Sequence, residues 1–206
     1  DAVWYVAYGS NLDEQRFRCY LEGGRPEGRG SAHHGARDRT PPRDDRAVHL
    51  DHCVVFSGRT STWGPGGVAH LVATGHHPTP TRARAWLVTL GQLEDVIAQE
   101  TGRISVQLDL GAVVTAGEVR LGDGRYDRVV STGDHDGVPQ VTLAWARPTP
   151  PGPVTLPSEA YLRTMARGLR QSHGMDPDEI ESYFGALPGI CDDWPEPHRR
   201  AVLDVT

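Results

Sequence analysis

An apolar segment near the start of the chain constrains the fold more than any other feature. Residues 3–8, VWYVAY, favour a β-strand, and both faces of that strand are apolar. A strand of this kind has to be covered on both sides, so it belongs inside a layered domain. It ends at Gly9, Ser10 and Asn11, which form either a plain turn or a loop whose backbone amides hold a ligand.

Strands and helices follow in an order that does not alternate regularly. Asn11 is predicted to cap a first helix, with Glu14 three residues later as in a capping box. This order is typical of an α+β fold, and we predict a small, mostly antiparallel β-barrel with flanking helices. Strands are predicted at 52–58, 67–75, 82–90, 117–121, 125–131 and 139–146, and helices at 91–100, 159–169 and 178–185. The helix at 91–100 is predicted to begin with a capping box of Thr89 and Gln92 and to end at Gly102. The helix at 178–185 is predicted to begin with Asp176 as its N-cap and Glu179 at N3.

Residues 22–47 interrupt this pattern with a long polar stretch that has almost no apolar residue and no period. We predict a surface loop, and loops of this length inside a domain are often lids or binding loops. Arg37 and Arg39 are the candidates for substrate contact, because a guanidinium binds carboxylates in a planar, bidentate manner. The alternative is an ordinary solvated surface. The prediction is one domain over 1–206, with this loop and an irregular tail at 188–206.

Charge and cysteine content restrict the class of protein. The formal charge of −6 gives no support to nucleic-acid binding. No apolar run reaches the length of about 18 residues that a membrane span needs, so no membrane partner is predicted. Three widely spaced cysteines indicate reduced thiols and a cytoplasmic location. All 21 basic residues are arginine, which is typical of a GC-rich bacterial genome.

Glu100 is the carboxylate with the most informative position. Leu93, Val96 and Ile97 define the apolar face of the predicted helix at 91–100, and Glu100 continues that face. A carboxylate held there can act as a general base and acid near neutral pH. The alternative is that Glu100 turns out to water at the end of the helix and pairs with Arg103.

Gly67 and Tyr161 are two further candidates for the site. The segment STWGPGGVA, residues 61–69, has more glycine than a turn needs, which indicates close approach of the backbone to a ligand or to another loop. Tyr161 shares one helical face with Met165 and Leu169, where it can be a core residue or a site residue.

Histidines and a cysteine raise the possibility of a metal site. His52 and Cys53 lie in a predicted strand and therefore point to opposite sides. The other candidates are His49 and two histidine doublets, His33-His34 and His76-His77. Both doublets lie in Gly- and Pro-rich loops. No metal and no other cofactor is predicted.

Four of these segments, taken in order, resemble the γ-glutamylcyclotransferase-like (AIG2-like) superfamily. They are YVAYGSNL, RTSTWGPGGVA, LEDVIAQETG and PSEAYLRTM, and the resemblance covers roughly residues 3–175. It implies a catalytic acid and base at Glu100 and a substrate-side tyrosine at Tyr161. It also implies substrate contacts from the loop after the first strand and from the glycine-containing segment. The residues are Tyr8, Gly9, Ser10, Asn11 and Leu12 in the loop and Gly67 in the segment.

The resemblance implies a cofactor-free enzyme acting on a small-molecule γ-glutamyl amide. The α-amine of the substrate would attack its own γ-amide carbonyl and release 5-oxoproline and a free amine. Ring closure within one molecule gains much of its rate from positioning. Glu100 would take a proton from the amine and return it to the departing nitrogen. The backbone amides of residues 8–12 would bind either the oxyanion or the α-carboxylate.

Three alternatives remain open at this stage. One is an enzyme of the same fold that transfers an acyl group from another γ-glutamyl-linked, natural-product substrate. A second is a catalytically silent module that binds a small molecule. The third is a metal-dependent hydrolase that uses the histidines.

Overall fold

The first strand, β1 (Ala2–Ala7), lies inside a six-stranded sheet with neighbours on both sides. This computed structural model describes residues 1–26, 32–60, 62–72, 79–124, 126–145 and 150–204. The strand order is β2-β5-β1-β8-β7-β6. These strands are β2 (Asp44–Leu50), β5 (Thr81–Thr89), β6 (Glu118–Arg120), β7 (Arg128–His135) and β8 (Val138–Ala144).

The sheet is mixed but mostly antiparallel. The strand β1 pairs antiparallel with β5 and parallel with β8, and the remaining neighbours pair antiparallel. Two further strands, β3 (Cys53–Ser57) and β4 (Val68–Val72), form a separate antiparallel pair. The α+β class is confirmed, whereas the predicted barrel is not closed, because β2 and β6 remain the two edges of the six-stranded sheet.

The described part of the chain contains six α-helices. The helix α2 begins with the predicted capping box of Thr89 and Gln92 and ends at Gly102, whose φ of 66° is left-handed. The helix α5 begins with a second capping box at Asp176, as predicted. The helices are α1 (Glu14–Glu22), α2 (Leu90–Thr101), α3 (Leu110–Ala116), α4 (Glu159–His173), α5 (Pro177–Gly185) and α6 (Glu196–Leu203).

Two apolar clusters cover the two faces of β1. One face of the strand packs with α4 and α5, and the opposite face packs with α1 and α2. Burial of both faces confirms what the apolar pattern of β1 predicts. The first face carries Trp4 and Val6, and the second carries Val3, Tyr5 and Ala7.

Three predictions about local structure are wrong. Asn11 lies in a short 3-10 helix, Ser10–Leu12, and α1 is capped instead by Asp13, whose carboxylate accepts from the Arg16 amide at 2.9 Å. The polar stretch 22–47 already contains the start of β2. The tail 188–206 contains α6, which packs on α4 through a hydrogen bond from Arg163 Nε to the Ala201 carbonyl. Helix α3 was not predicted either.

A membrane span was not predicted, and within the described ranges no helix is both long enough and apolar enough to form one.

Helix α4 holds the segment that follows β1. A Cβ atom on Gly168 would lie 2.4 Å from the carbonyl carbon of Leu12 and 2.6 Å from the Asp13 nitrogen. Arg167, one residue earlier, donates to both carboxylate oxygens of the fully buried Asp13, at 2.6 and 3.1 Å. The close backbone contact at Gly168 and the bidentate ion pair between Arg167 and Asp13 therefore hold residues 9–13 against α4.

We predict that Gly168→Ala destabilises the protein by about 1–3 kcal/mol, because the new methyl group overlaps the backbone of Leu12 and Asp13. Intrinsic helix propensity alone favours alanine over glycine, so the packing argument predicts the opposite sign. Denaturant unfolding measures the difference. Gly185→Ala is the control, since a Cβ there meets nothing within 4 Å; equal stability changes in the two variants would contradict the close approach.

Candidate active site

A cavity of about 180 Å³ lies at the carboxyl end of β1. The segment Gly9–Asn11 forms one wall. Helix α1 contributes Arg16 and Tyr20, the end of α2 contributes Glu100, and α4 contributes Tyr161. Elements that are distant in sequence thus converge on the small residues that follow the first strand.

The Asn11 side chain connects the end of β1 to the end of α2. Its Nδ2 donates to Glu100 Oε1 at 2.8 Å and lies 3.4 Å from the Tyr5 hydroxyl. The carbonyl of Asn11 accepts from Trp86 Nε1 at 2.9 Å. The buried Oδ1 of Asn11 has no hydrogen-bond donor in the described part of the chain. Asn11 therefore orients the Glu100 carboxylate towards the loop, and the alternative pairing of Glu100 with Arg103 is not formed.

The backbone amides of the loop are only partly available. The Leu12 amide donates to the Gly9 carbonyl at 3.0 Å, and the Asp13 amide donates to the Ser10 carbonyl at 3.2 Å. The amides of Gly9, Ser10 and Asn11 have no backbone acceptor among the residues that the structure describes. These three N–H groups are the part of the loop that can donate hydrogen bonds to a negatively charged oxygen.

Tyr161 and Gly9 fit together at the wall of the cavity. The Tyr161 hydroxyl accepts from the Ala69 amide at 3.2 Å, and its ring packs edge-on against Trp63 with centroids 5.4 Å apart. A Cβ on Gly9 would lie 2.8 Å from that hydroxyl. A side chain at position 9 would therefore have to displace the Tyr161 hydroxyl.

Tyrosine hydroxyls surround the Glu100 carboxylate. Burial raises the pKa of Tyr5, Tyr20 and Tyr126 above its ordinary value, and the negative charge of Glu100 is the next cause in each case. All three hydroxyls stay protonated across the physiological pH range. Of the three, Tyr20 is hydrogen-bonded to the Glu100 carboxylate as a neutral donor.

Gly67 and Leu12 lie outside the cavity wall. A Cβ on Gly67 would be 2.5 Å from the Thr155 carbonyl oxygen, so this glycine allows two backbone segments to approach each other. The Leu12 side chain is fully buried in the apolar cluster beneath α4. Leu12 supports the Gly9–Asn11 segment that it follows, whereas Gly67 allows its own segment to lie against Thr155.

Arg37 and Arg39 also lie outside the cavity. Arg37 Nε donates to the Asp95 carboxylate at 2.9 Å on the exposed side of α2. Arg39 donates to the His34 carbonyl at 3.0 Å. These arginines fasten the polar stretch to α2 and to itself.

Arg16, which sequence reasoning missed, and His33, which it considered only as a metal ligand, also line the cavity. Arg16 Nη1 lies 2.7 Å from His33 Nε2, and Nη2 donates to the Tyr20 hydroxyl at 3.1 Å. His33 Nδ1 lies 3.3 Å from Gln99 Oε1. The four-residue spacing of Arg16 and Tyr20 placed them on one face of α1, whereas no sequence signal indicated that the polar stretch would return His33 to this point.

None of the described residues form a group of three His, Cys, Asp or Glu side chains that could hold a metal ion. The doublet His76-His77 lies outside the described residues.

We predict that Gly9→Ala destabilises the protein by about 1–3 kcal/mol, since its methyl group meets the Tyr161 hydroxyl. Tyr161→Phe removes that hydroxyl. Gly9→Ala should therefore destabilise the Tyr161→Phe variant much less than it destabilises the wild-type protein. A double-mutant cycle, followed by thermal or denaturant unfolding, measures the coupling. Additive effects would show that another neighbour requires glycine at position 9.

We predict that His33 stays neutral well into the acid range. Burial, followed by the charge of Arg16, lowers its pKa to about 4. This pKa lies below the value of about 6.5 expected in the unfolded chain, so its contribution to stability is complete above that value and is lost as the pH falls towards 4. An NMR titration of the imidazole measures it, and a midpoint near 6.5 would contradict the arrangement.

Comparisons with known proteins identify the architecture. No protein-family model matches the chain. A solved structure titled gamma-glutamyl cyclotransferase superposes with a TM-score of 0.53 at 15% identity, covering 98% of each chain. An uncharacterized protein from Homo sapiens superposes with a TM-score of 0.52 at 14% identity, again covering 98% of each chain.

A curated relative in sequence is histone deacetylase 5 of Arabidopsis thaliana. It is 30% identical over 200 residues, which cover 88% of this chain. The match spans 30% of the length of that relative. On the two structural matches, which cover nearly the whole chain, the protein has the γ-glutamyl cyclotransferase-like fold.

Proposed function

We propose that the protein is a γ-glutamylcyclotransferase-type enzyme that converts a small γ-glutamyl amide into 5-oxoproline and a free amine. The observation that carries the proposal is the Glu100 carboxylate, held by Asn11 at 2.8 Å in the wall of a cavity that Gly9, Ser10 and Asn11 also line. An acid-base group and a set of oxyanion donors are the two elements that this reaction needs.

Proton transfer in the proposed reaction runs through Glu100. The carboxylate accepts a proton from the α-ammonium group of the substrate, and the free amine attacks the γ-carbonyl carbon. A new C–N bond closes the five-membered ring while the original amide C–N bond breaks. Glu100 then returns this proton to the departing nitrogen, and the ring nitrogen gives up its remaining extra proton through the same carboxylate, so that the amine leaves as an ammonium ion.

The surrounding groups serve this cycle without titrating. The carbonyl oxygen gains negative charge during ring closure, and the amides of Gly9, Ser10 and Asn11 would stabilise it. The unpartnered Oδ1 of Asn11 is an acceptor for a donor on the ligand, such as the α-amine. The protonated Tyr20 hydroxyl would donate to Glu100, and the Tyr5 hydroxyl stays neutral beside Asn11.

The fold supports this proposal more strongly than the sequence match does. The cyclotransferase structure corresponds to the chain along 98% of its length. The name histone deacetylase belongs to a protein of which this chain matches 30%. The cysteines Cys19, Cys53 and Cys191 are free thiols, in keeping with the proposed cytoplasmic location.

We predict that Glu100→Gln lowers turnover by about 10²–10⁴-fold, because the amide keeps the size of the side chain but cannot accept a proton. A panel of γ-glutamyl amino acids, peptides and amines is incubated with the protein, and 5-oxoproline is quantified by chromatography. The wild-type protein should release it from at least one member of the panel.

The matched control is Glu94→Gln on the same helix. Glu94 accepts from the Leu108 amide and lies outside the cavity wall, so this variant should retain turnover near the wild-type rate. Unchanged turnover in a folded Glu100→Gln variant would remove Glu100 from the mechanism. Absence of 5-oxoproline with every wild-type reaction would favour a silent binding module.

A further inference from the structure

Arg16 is a buried cation in the wall of the cavity. Its side chain is 5% exposed, and its guanidinium lies over the rings of Tyr20 and Trp63, at 5.0 and 5.2 Å from their centroids. The proposed reaction assigns no role to it. A buried charge of this kind is costly unless another group compensates it.

No acidic side chain within the described ranges forms an ion pair with Arg16. Its recorded partners are neutral: Nη1 meets His33 Nε2 at 2.7 Å, and Nη2 donates to the Tyr20 hydroxyl at 3.1 Å. The buried Nε of Arg16 has no hydrogen-bond partner among the residues that the structure describes. A guanidinium carries five N–H groups, so Arg16 retains donors for an anion.

His33 contributes to this arrangement as an acceptor. With a pKa lowered to about 4, its imidazole is neutral, and Nε2 accepts from Arg16 while Nδ1–H points to Gln99. It therefore orients the guanidinium without neutralising it. The positive charge stays available to a ligand.

The Tyr20 hydroxyl contacts both the Arg16 guanidinium and the Glu100 carboxylate. It accepts from Arg16 Nη2, and it also lies against the Glu100 carboxylate, whose charge acts on it. A cation and an anion thus flank one neutral hydroxyl in the same cavity without pairing with each other. The ammonium and the carboxylate of an α-amino acid are both attached to the α-carbon. Protein groups that bind the two therefore lie side by side, as Arg16 and Glu100 do.

We propose that Arg16 binds the α-carboxylate of the γ-glutamyl group while Glu100 faces the α-amine. The inference rests on the proposed function and names the part of the substrate that this side of the cavity recognises. With the α-carboxylate held by Arg16, the amides of Gly9, Ser10 and Asn11 are assigned to the oxyanion. The required substrate feature is a free α-carboxylate, whatever the departing amine.

Binding of the product tests this assignment without any turnover. 5-Oxoproline retains the α-carboxylate, and its carboxamide, pyroglutamide, lacks only the charge. Calorimetry should show that the wild-type protein binds 5-oxoproline about 10-fold or more tightly than pyroglutamide. Arg16→Gln should abolish that preference, and Arg16→Lys should keep part of it. Equal or undetectable binding of both compounds by the wild-type protein would overturn the proposal.

Turnover distinguishes the α-carboxylate from a carboxylate on the departing amine. For Arg16→Gln, kcat/KM should fall by the same factor for a γ-glutamyl amino acid and for a γ-glutamylamine. A fall confined to the γ-glutamyl amino acid would assign Arg16 to the departing group and overturn the proposal.

A crystal structure of the wild-type protein with 5-oxoproline covers the case in which Arg16→Gln does not fold. It should place the carboxylate within hydrogen-bonding distance of the Arg16 guanidinium; a carboxylate on the Gly9–Asn11 amides instead would overturn the proposal. Failure of the proposed function has a different signature, since wild-type protein would then release no 5-oxoproline while its preference for the carboxylate could still be measured.

Discussion

The buried carboxylate of Asp13 is the contact on which the site depends. It caps α1 by accepting from the Arg16 amide, and it receives two hydrogen bonds from Arg167 of α4. One side chain thus fixes the start of the helix that carries Arg16 and draws in the helix that carries Tyr161. A buried carboxylate without its partners is costly. Asp13 therefore holds α1, α4 and the Gly9–Asn11 segment together.

Features that depend on contacts between neighbours in the sequence, such as helix caps, could be predicted from the sequence. The capping box of Thr89 and Gln92 joins neighbours in sequence, and it is present as predicted. Asn11 has equally good capping chemistry, yet it is engaged by Trp86 and Glu100, which are 75 and 89 residues away. Contacts across such distances follow from the fold, and no short window of sequence contains them. The polar edge strand β2 was missed because its pairing with β5, rather than its own apolar pattern, defines it.

The glycines of the motifs illustrate the same limit. Sequence reasoning placed Gly9 in a plain turn or a ligand-binding loop, and it placed Gly67 where the backbone approaches a ligand or another loop. The structure gives each a neighbour within the protein: the Tyr161 hydroxyl for Gly9, and the Thr155 carbonyl for Gly67. Gly9 still lines the cavity, whereas Gly67 acts by letting two backbone segments meet behind it. A glycine in a sequence indicates close approach, and only the fold identifies what approaches.

The polar stretch 22–47 has a different relation to the cavity from the one its arginines indicated. Arg37 is occupied by Asp95 on the outside of α2, and this attachment helps to hold the stretch against the domain. The stretch then delivers His33, a neutral acceptor, to Arg16. An acidic residue at position 33 would pair with Arg16 and cancel its charge, whereas a neutral imidazole holds the guanidinium in place and leaves that charge for a ligand. The stretch therefore affects the electrostatics of the cavity through His33, an uncharged side chain.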